Sequence, residues 1–344
     1  MKMRDKKVTI NDVARYLGVS KSTVSHALSG KRQISAEVVE KVHKAIRELG
    51  YQPNFAAQVM NSHSTGLIGV LVCDMQGHTI RLINELTKHL KERNYSVTLC
   101  MTGQDEQSGL EMIRKVSNGM FDGILNTLPQ VSAEKAMEAA GKTPLLTYLR
   151  HKKGAIYVDY TAGVRQVMEY LFQLGHKRIG YISTRFREFG EEDPYSVAYR
   201  DLMEKQGLFQ PELLCHSSGE LENGISAAEQ LVHAGATAIF ACNDETAAGV
   251  IQWAHANRIR IPEELSVVGS DNTQLAKAVY PPLTSVELFV EKIAEHTVKR
   301  LLEQIHGNEM IEIPPVIITP RMVLRDSTGP ATKHPFNQTE KRIS

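Results

Sequence analysis

The apolar pattern changes abruptly at Gly66, and that change bounds the folds open to this chain. Beyond it, the apolar runs "LIGVLVC", "YSVTLCM" and "FDGILNTL" alternate with helical patterns such as "IRLINELTKHLKERN" and "QSGLEMIRKVSNGM". The same beat returns in "KRIGYIS", "AIFACN" and "LSVVGSD", the first two followed by "YSVAYRDLMEKQG" and "DETAAGVIQWAHANR". Unbroken apolar runs of this length mark strands buried on both faces of a parallel sheet. The chain from Gly66 is therefore expected to be an α/β body, and its length of about 260 residues suggests two similar lobes.

Ahead of Gly66 the pattern is that of short helices. Thr9 to Asp12 is a T-x-x-D helix start, followed by Val13, Ala14 and Leu17 at helical spacing and stopped at Gly18. Ser20 is placed to cap a second helix carrying Val24, Ala27 and Leu28. Ser35 is placed to cap a third, with Val38, Val42, Ala45 and Leu49 on one side and Gly50 at its end. Helix, short turn with Gly, helix is the helix-turn-helix pattern.

Charge is divided along the same boundary. Residues 1–60 carry 11 Lys/Arg against 5 Asp/Glu, a balance of +6, while residues 61–344 carry 29 against 34, a balance of −5. A basic excess confined to a small front module points to a polyanionic partner. There is no run of 18 apolar residues and no apolar stretch following the charged N-terminus, so neither membrane span nor secretory signal is expected. Cys73, Cys100, Cys215 and Cys242 form no C-x-x-C pair, and their setting suggests a reducing, cytoplasmic compartment. Metal-ligand and dinucleotide motifs are absent, so no cofactor and no catalysis is expected. "AAGKT" at 139–143 imitates the end of a phosphate loop, but Ala136 stands where the first Gly is required. A free-standing sugar-binding protein or an α/β enzyme is the alternative class.

Residues 8–62 resemble the DNA-binding headpiece of the lactose-repressor family: "VTINDVARYLGVSKSTVSHALSG", then "IS", then "AIRELGYQPN". The resemblance continues through "TGLIGVLV", "GHKRIGYI", "AIFACNDETAAG", "IPEELSVVGSDN", "YPPLTSV" and "RMVLRDSTGP", covering about residues 8–330. It implies an all-α helix-turn-helix headpiece at 1–53 and a hinge at 54–65. A periplasmic-binding-protein-like core of two doubly wound parallel-sheet lobes follows at 66–330. The N-lobe would comprise about 66–162 and 290–320, the C-lobe about 163–289. The tail 331–344 has little to bury and is expected to be disordered. A homodimer on palindromic operator DNA, controlled by a small-molecule effector, is the function this implies.

The recognition face would present Ser20, Lys21, Ser22, Ser25 and His26 to the major groove. Lys21 and His26 suit guanine acceptors, and the serines and Thr23 suit base edges or phosphates. Thr9, Ser29, Gln33 and Ser35 fall where the family contacts phosphates. The family's hinge would start at Asn54, with Ala57 small for close approach and Met60 as the apolar wedge in the minor groove.

Ligands of open α/β lobes sit beyond the carboxyl ends of the strands. Asp74, Asn243, Glu245 and Asp271 stand at such ends, and Asn243 and Asp271 match positions the family uses for its effector. Asp159 lies near another wall. Asp244 is expected to cap the helix that follows it. Tyr195 replaces a frequent Arg, and "MQGHTIR" replaces the family's usual turn after the first strand. Arg150 stands where a strand often ends in Asp. It would clamp a ligand phosphate or carboxylate, or serve in a surface ion pair. The expected effector is a small polar metabolite such as a sugar or sugar phosphate.

Overall fold

The computed structural model describes residues 8–29, 34–51, 64–147, 156–184, 194–307 and 316–332, apart from the side chains of Ser29, Thr184 and Pro194. The chain divides into two compact units, Met1–Thr65 and Gly66–Ser344.

The first unit holds α1 (Ile10–Leu17), α2 (Lys21–Ser29) and α3 (Ala36–Leu49). Their apolar faces meet in one small core of Val13, Ala14, Val24, Ala27, Val42, Ala45 and Tyr51. At the start of α1 the Asp12 carboxylate accepts from the Thr9 amide at 2.9 Å and from its hydroxyl at 2.6 Å. The turn into α2 depends on Gly18, whose φ of +64° lets Val19 N donate back to Ala14 O at 3.0 Å. Ser20 caps α2 as its position suggests, its Oγ accepting from Thr23 N at 3.0 Å. Ser35 differs. It occupies the N-cap of α3, but only its carbonyl engages the helix, accepting from Val38 N and Val39 N.

The second unit is α/β. β1 (Leu67–Val72), β2 (Ser96–Met101), β3 (Gly123–Asn126) and β4 (Leu145–Thr147) form a parallel sheet in the order β2-β1-β3-β4. The helices between them are α4 (Gly77–Lys91), α5 (Glu106–Val116) and α6 (Ala133–Ala140). The phosphate-loop imitation at 139–143 starts within α6 and does not follow a strand. β5 (Ile156–Val158) pairs in parallel with β11 (Val316–Ile318).

The larger sheet has six strands in the order β12-β10-β9-β8-β6-β7. They are β6 (Ile179–Thr184), β7 (Leu214–Ser217), β8 (Ala238–Ala241), β9 (Ser266–Ser270), β10 (Thr284–Glu287) and β12 (Arg321–Val323). All pairings are parallel except β12 on β10. Its helices include α7 (Tyr160–Gln173), α8 (Pro194–Lys205), α9 (Leu221–His233), α10 (Asp244–Ala256) and the short α11 (Gln274–Ala278). The last helix, α12 (Val290–Ile305), returns to pack on α4. Among the described residues the chain thus passes between lobes three times: before α7, before α12 and after β11. Fully buried Val70, Leu86, Val164, Tyr181, Phe240 and Leu301 belong to the main core that the lobes share. Among the described residues no helix is long and apolar enough to cross a membrane.

Candidate functional sites: a hydroxyl-rich helix start and an interlobe cleft

In the first unit, burial of Val24 and Ala27 orients α2. Ser20, Lys21 and Ser22 are left exposed, and Thr23, Ser25 and His26 half-buried. Ser20 Oγ lies 2.7 Å from Ser22 Oγ and 2.8 Å from Thr23 Oγ1. Three hydroxyls and a lysine therefore gather at the amino end of a helix, where free amides and the helix dipole favour negative charge. Thr9 and Ser35 are also exposed. Tyr16, which sequence reasoning missed, is 58% exposed and donates its hydroxyl to Glu48 Oε2 at 2.9 Å. Gln33, Asn54, Ala57 and Met60, the side chain of Ser29, and the tail from 333 lie outside the described residues.

In the second unit a cleft opens between the lobes at the carboxyl ends of the strands. Carboxylates enter it from Asp74 and Asp271, amides from Gln76 and Asn243, hydroxyls from Thr79 and Thr127, and an imidazole from His78. Tyr160, Tyr181 and Tyr195 supply aromatic walls, the rings of Tyr160 and Tyr195 having centroids 4.6 Å apart. Directed polar groups between ring faces suit a small hydroxyl-rich ligand.

Each carboxylate is positioned locally. Asp74 Oδ1 accepts from Gln76 N at 3.0 Å and Thr79 Oγ1 at 2.8 Å, fixing the entry into α4. Asp271 has a φ of 90° and Asn272 a φ of 47°, both in the left-handed region. His78 Nδ1 stands 3.6 Å from Asp271 Oδ1. Asn243 caps α10, its Oδ1 accepting from Thr246 N at 2.8 Å, while its Nδ2 donates to Gly219 O at 2.8 Å.

The structure corrects three sequence expectations. Asn243, not Asp244, is the helix cap. Asp244 is fully buried and accepts from Thr273 and from Ser285 Oγ. Asp159 does not line the cleft: it caps α7, accepting from Ala162 N at 3.1 Å, and its neighbour Tyr160 faces the cleft instead. Glu245 also lies outside the lining and accepts from Gly77 N of the opposite lobe at 3.1 Å. Arg150 lies outside the described residues. Gln76, His78, Thr79 and Thr127 were missed, although all follow strand ends, where the strand-end rule directs attention.

Comparison with known proteins agrees with this two-part design. Residues 9–54 match the model described as bacterial regulatory proteins, lacI family, and residues 168–328 match a periplasmic binding protein-like domain. A relative from Vibrio atlanticus, the HTH-type transcriptional repressor PurR, is 28% identical over 90% of this chain and 97% of its own length. The HTH-type transcriptional regulator DegA of Bacillus subtilis is 28% identical over 94% of this chain and 99% of its own length. Among solved structures, the lac repressor dimer bound to operator and the anti-inducer ONPF superposes with a TM-score of 0.81. It is 23% identical, covering 94% of this chain and 100% of that chain.

Proposed function

The chain belongs to the lacI family of bacterial regulatory proteins, and from that premise we propose that it is a dimeric, cytoplasmic transcriptional repressor whose hold on operator DNA is set by a small polar effector in the interlobe cleft. The exposed amino end of α2, with Ser20, Lys21, Ser22 and Thr23, carries this reading: it presents donors and a cation on a helix that a small core holds proud. Lys21 and Ser22 read base edges, with Ser25 and His26 beside them, while Thr9 and Ser35 position the headpiece on phosphates. Two headpieces are required because one helix spans too few base pairs, and a two-fold dimer matches a palindrome.

The effector is held by Asp74, Asn243 and Asp271 against the tyrosine walls. A change in lobe closure on binding alters how well two headpieces fit their half-sites, which couples the two events. Fluorescence anisotropy on palindromic operators tests the first half of the reading. Expected is sequence-specific binding that weakens steeply with salt, and binding indifferent to sequence overturns it. A thermal-shift screen of sugars, sugar phosphates and nucleobases tests the second half.

A further inference from the structure

We infer that the first turn of α4, residues 76–81, is a clasp with which the chain closes its own lobes over the cleft, Arg81 serving as the positioning residue for Asp271. The inference rests on reading the cleft as the effector site, and adds how that site is closed.

The turn belongs to the N-lobe, yet Gln76, Gly77 and Arg81 all reach groups of the C-lobe. Gln76 Nε2 donates to Ser218 O at 3.3 Å, and Gln76 Oε1 accepts from Asn243 Nδ2 at 3.3 Å. Gly77 N donates to Glu245 Oε1 at 3.1 Å. Arg81 Nη1 donates to the carbonyl of Asp271 and, at 3.2 Å, to that of Asn272. Arg81 Nη2 meets Glu287 Oε1 at 3.4 Å and Glu291 Oε1 at 3.1 Å. Arg81 and Glu287 are only 24% and 12% exposed, so this pair is far less screened than a surface ion pair.

Two glycines make the approach possible. A Cβ on Gly77 would lie 2.4 Å from Glu245 Oε1 and 3.0 Å from Thr273 Cγ2, both across the cleft. A Cβ on Gly219 would lie 2.9 Å from Gln76 Oε1, again across the cleft, and the φ of +89° there favours glycine independently. A methyl group at either point would push aside the Glu245 carboxylate or the Gln76 carboxamide, and with it the cross-lobe bond that group makes.

Closure also shapes the site. Consecutive positive-φ residues at 271 and 272 are uncommon, although Asp and Asn tolerate the left-handed region better than other side chains do. The guanidinium of Arg81 grips both their carbonyls, so shutting the lobes fixes the direction of the Asp271 carboxylate. One group opposes closure: Glu245 Oε2 is buried with no hydrogen-bond partner among the described residues, a cost that opening would relieve. The Gln76 carboxamide spans Asn243 Nδ2 and the Ser218 carbonyl, two groups of the cleft lining. A ligand that displaces it must accept from one and donate to the other, which a hydroxyl or a carboxamide does.

The test measures interlobe distance in the ligand-free full chain. Spin labels on keto-bearing amino acids replace exposed Lys142 and Glu263, in dimers diluted with unlabelled chain. The wild type is expected to give one narrow distance. Arg81→Ala and Gly77→Ala each shift and broaden it, Arg81→Lys restores part of it, and Lys88→Ala, exposed on the same helix, leaves it unchanged. Gln76→Ala, which only removes atoms, gives the same reading should Gly77→Ala fold poorly. The inference is overturned if the wild type is already broad, if Arg81→Ala superposes on it, or if Lys88→Ala shifts it equally. Operator binding, measured separately, reports on the proposed function: its failure with the distances as expected sinks that reading alone.

Discussion

The buried carboxylate of Asp244 accepts from both the amide and the hydroxyl of Thr273, at 2.6 and 2.9 Å, and so anchors the segment that carries Asp271. A third donor, Ser285 Oγ, reaches its other oxygen at 2.6 Å. Burial nevertheless outweighs these bonds and raises the carboxyl from its ordinary 3.8 to about 6.

That shift has a signed consequence. A carboxyl whose folded-state pKa lies above its unfolded value favours folding when protonated. Its contribution is greatest below about pH 4, is withdrawn as pH rises to about 6, and is constant above that. The withdrawn part is on the order of 3 kcal/mol. Asp244→Asn removes this dependence. Urea unfolding of both proteins between pH 4 and 7.5 should show the wild type losing ground to the variant up to about pH 6, then holding level. A stability difference that is flat with pH would refute the assignment.

Lys21→Ala should relax base preference at one position in each half-site, where a well-placed side chain on a base edge discriminates by about 1–3 kcal/mol. Anisotropy titrations against operators varied one base at a time will show it. Should affinity instead fall uniformly for every sequence, with the salt slope reduced by about one, Lys21 binds a phosphate and not a base.

Asp271→Ala should abolish the ligand-induced change in operator affinity while ligand-free operator binding stays within about twofold. Paired titrations with and without an effector found by thermal shift will decide. An intact response would remove Asp271 from the site.

Gly224 and Gly249 bring α9 and α10 close together. A Cβ on Gly224 would lie 2.0 Å from Thr246 O, and one on Gly249 would lie 2.0 Å from Leu221 O. Backbone cannot yield as a side chain does, so either Ala substitution should cost about 3 kcal/mol through overpacking. Calorimetry should show a melting temperature lowered by several degrees, and an unchanged one would contradict the close helix packing.

What was legible in the sequence was local. The headpiece helices follow from caps, Gly18 and apolar spacing, all within a few residues of each other. Most of the parallel strands follow from apolar runs, but β2 is an edge strand exposed along most of its length, not buried on both faces as its run suggested. What escaped was set by distant partners. "MQGHTIR" stands out in the sequence only as a departure from a familiar turn, because Gln76 and Arg81 find their partners more than a hundred residues away. Asp244 misleads for the same reason. Its place beside a helix start suggests a cap, but its donors sit 29 and 41 residues downstream. Asp159 errs in the opposite sense, its carboxylate being spent on its own helix.

The repeated passage of the chain between lobes ties completion of both to the last strands synthesised. The larger sheet lacks its edge until Arg321–Val323 has been made, and the strand beside Ile156–Val158 is supplied only by Val316–Ile318. Neither half can finish on the ribosome ahead of the other. A nascent chain cut short by a few dozen residues would leave both incomplete, and proteases would meet two unfinished halves rather than one.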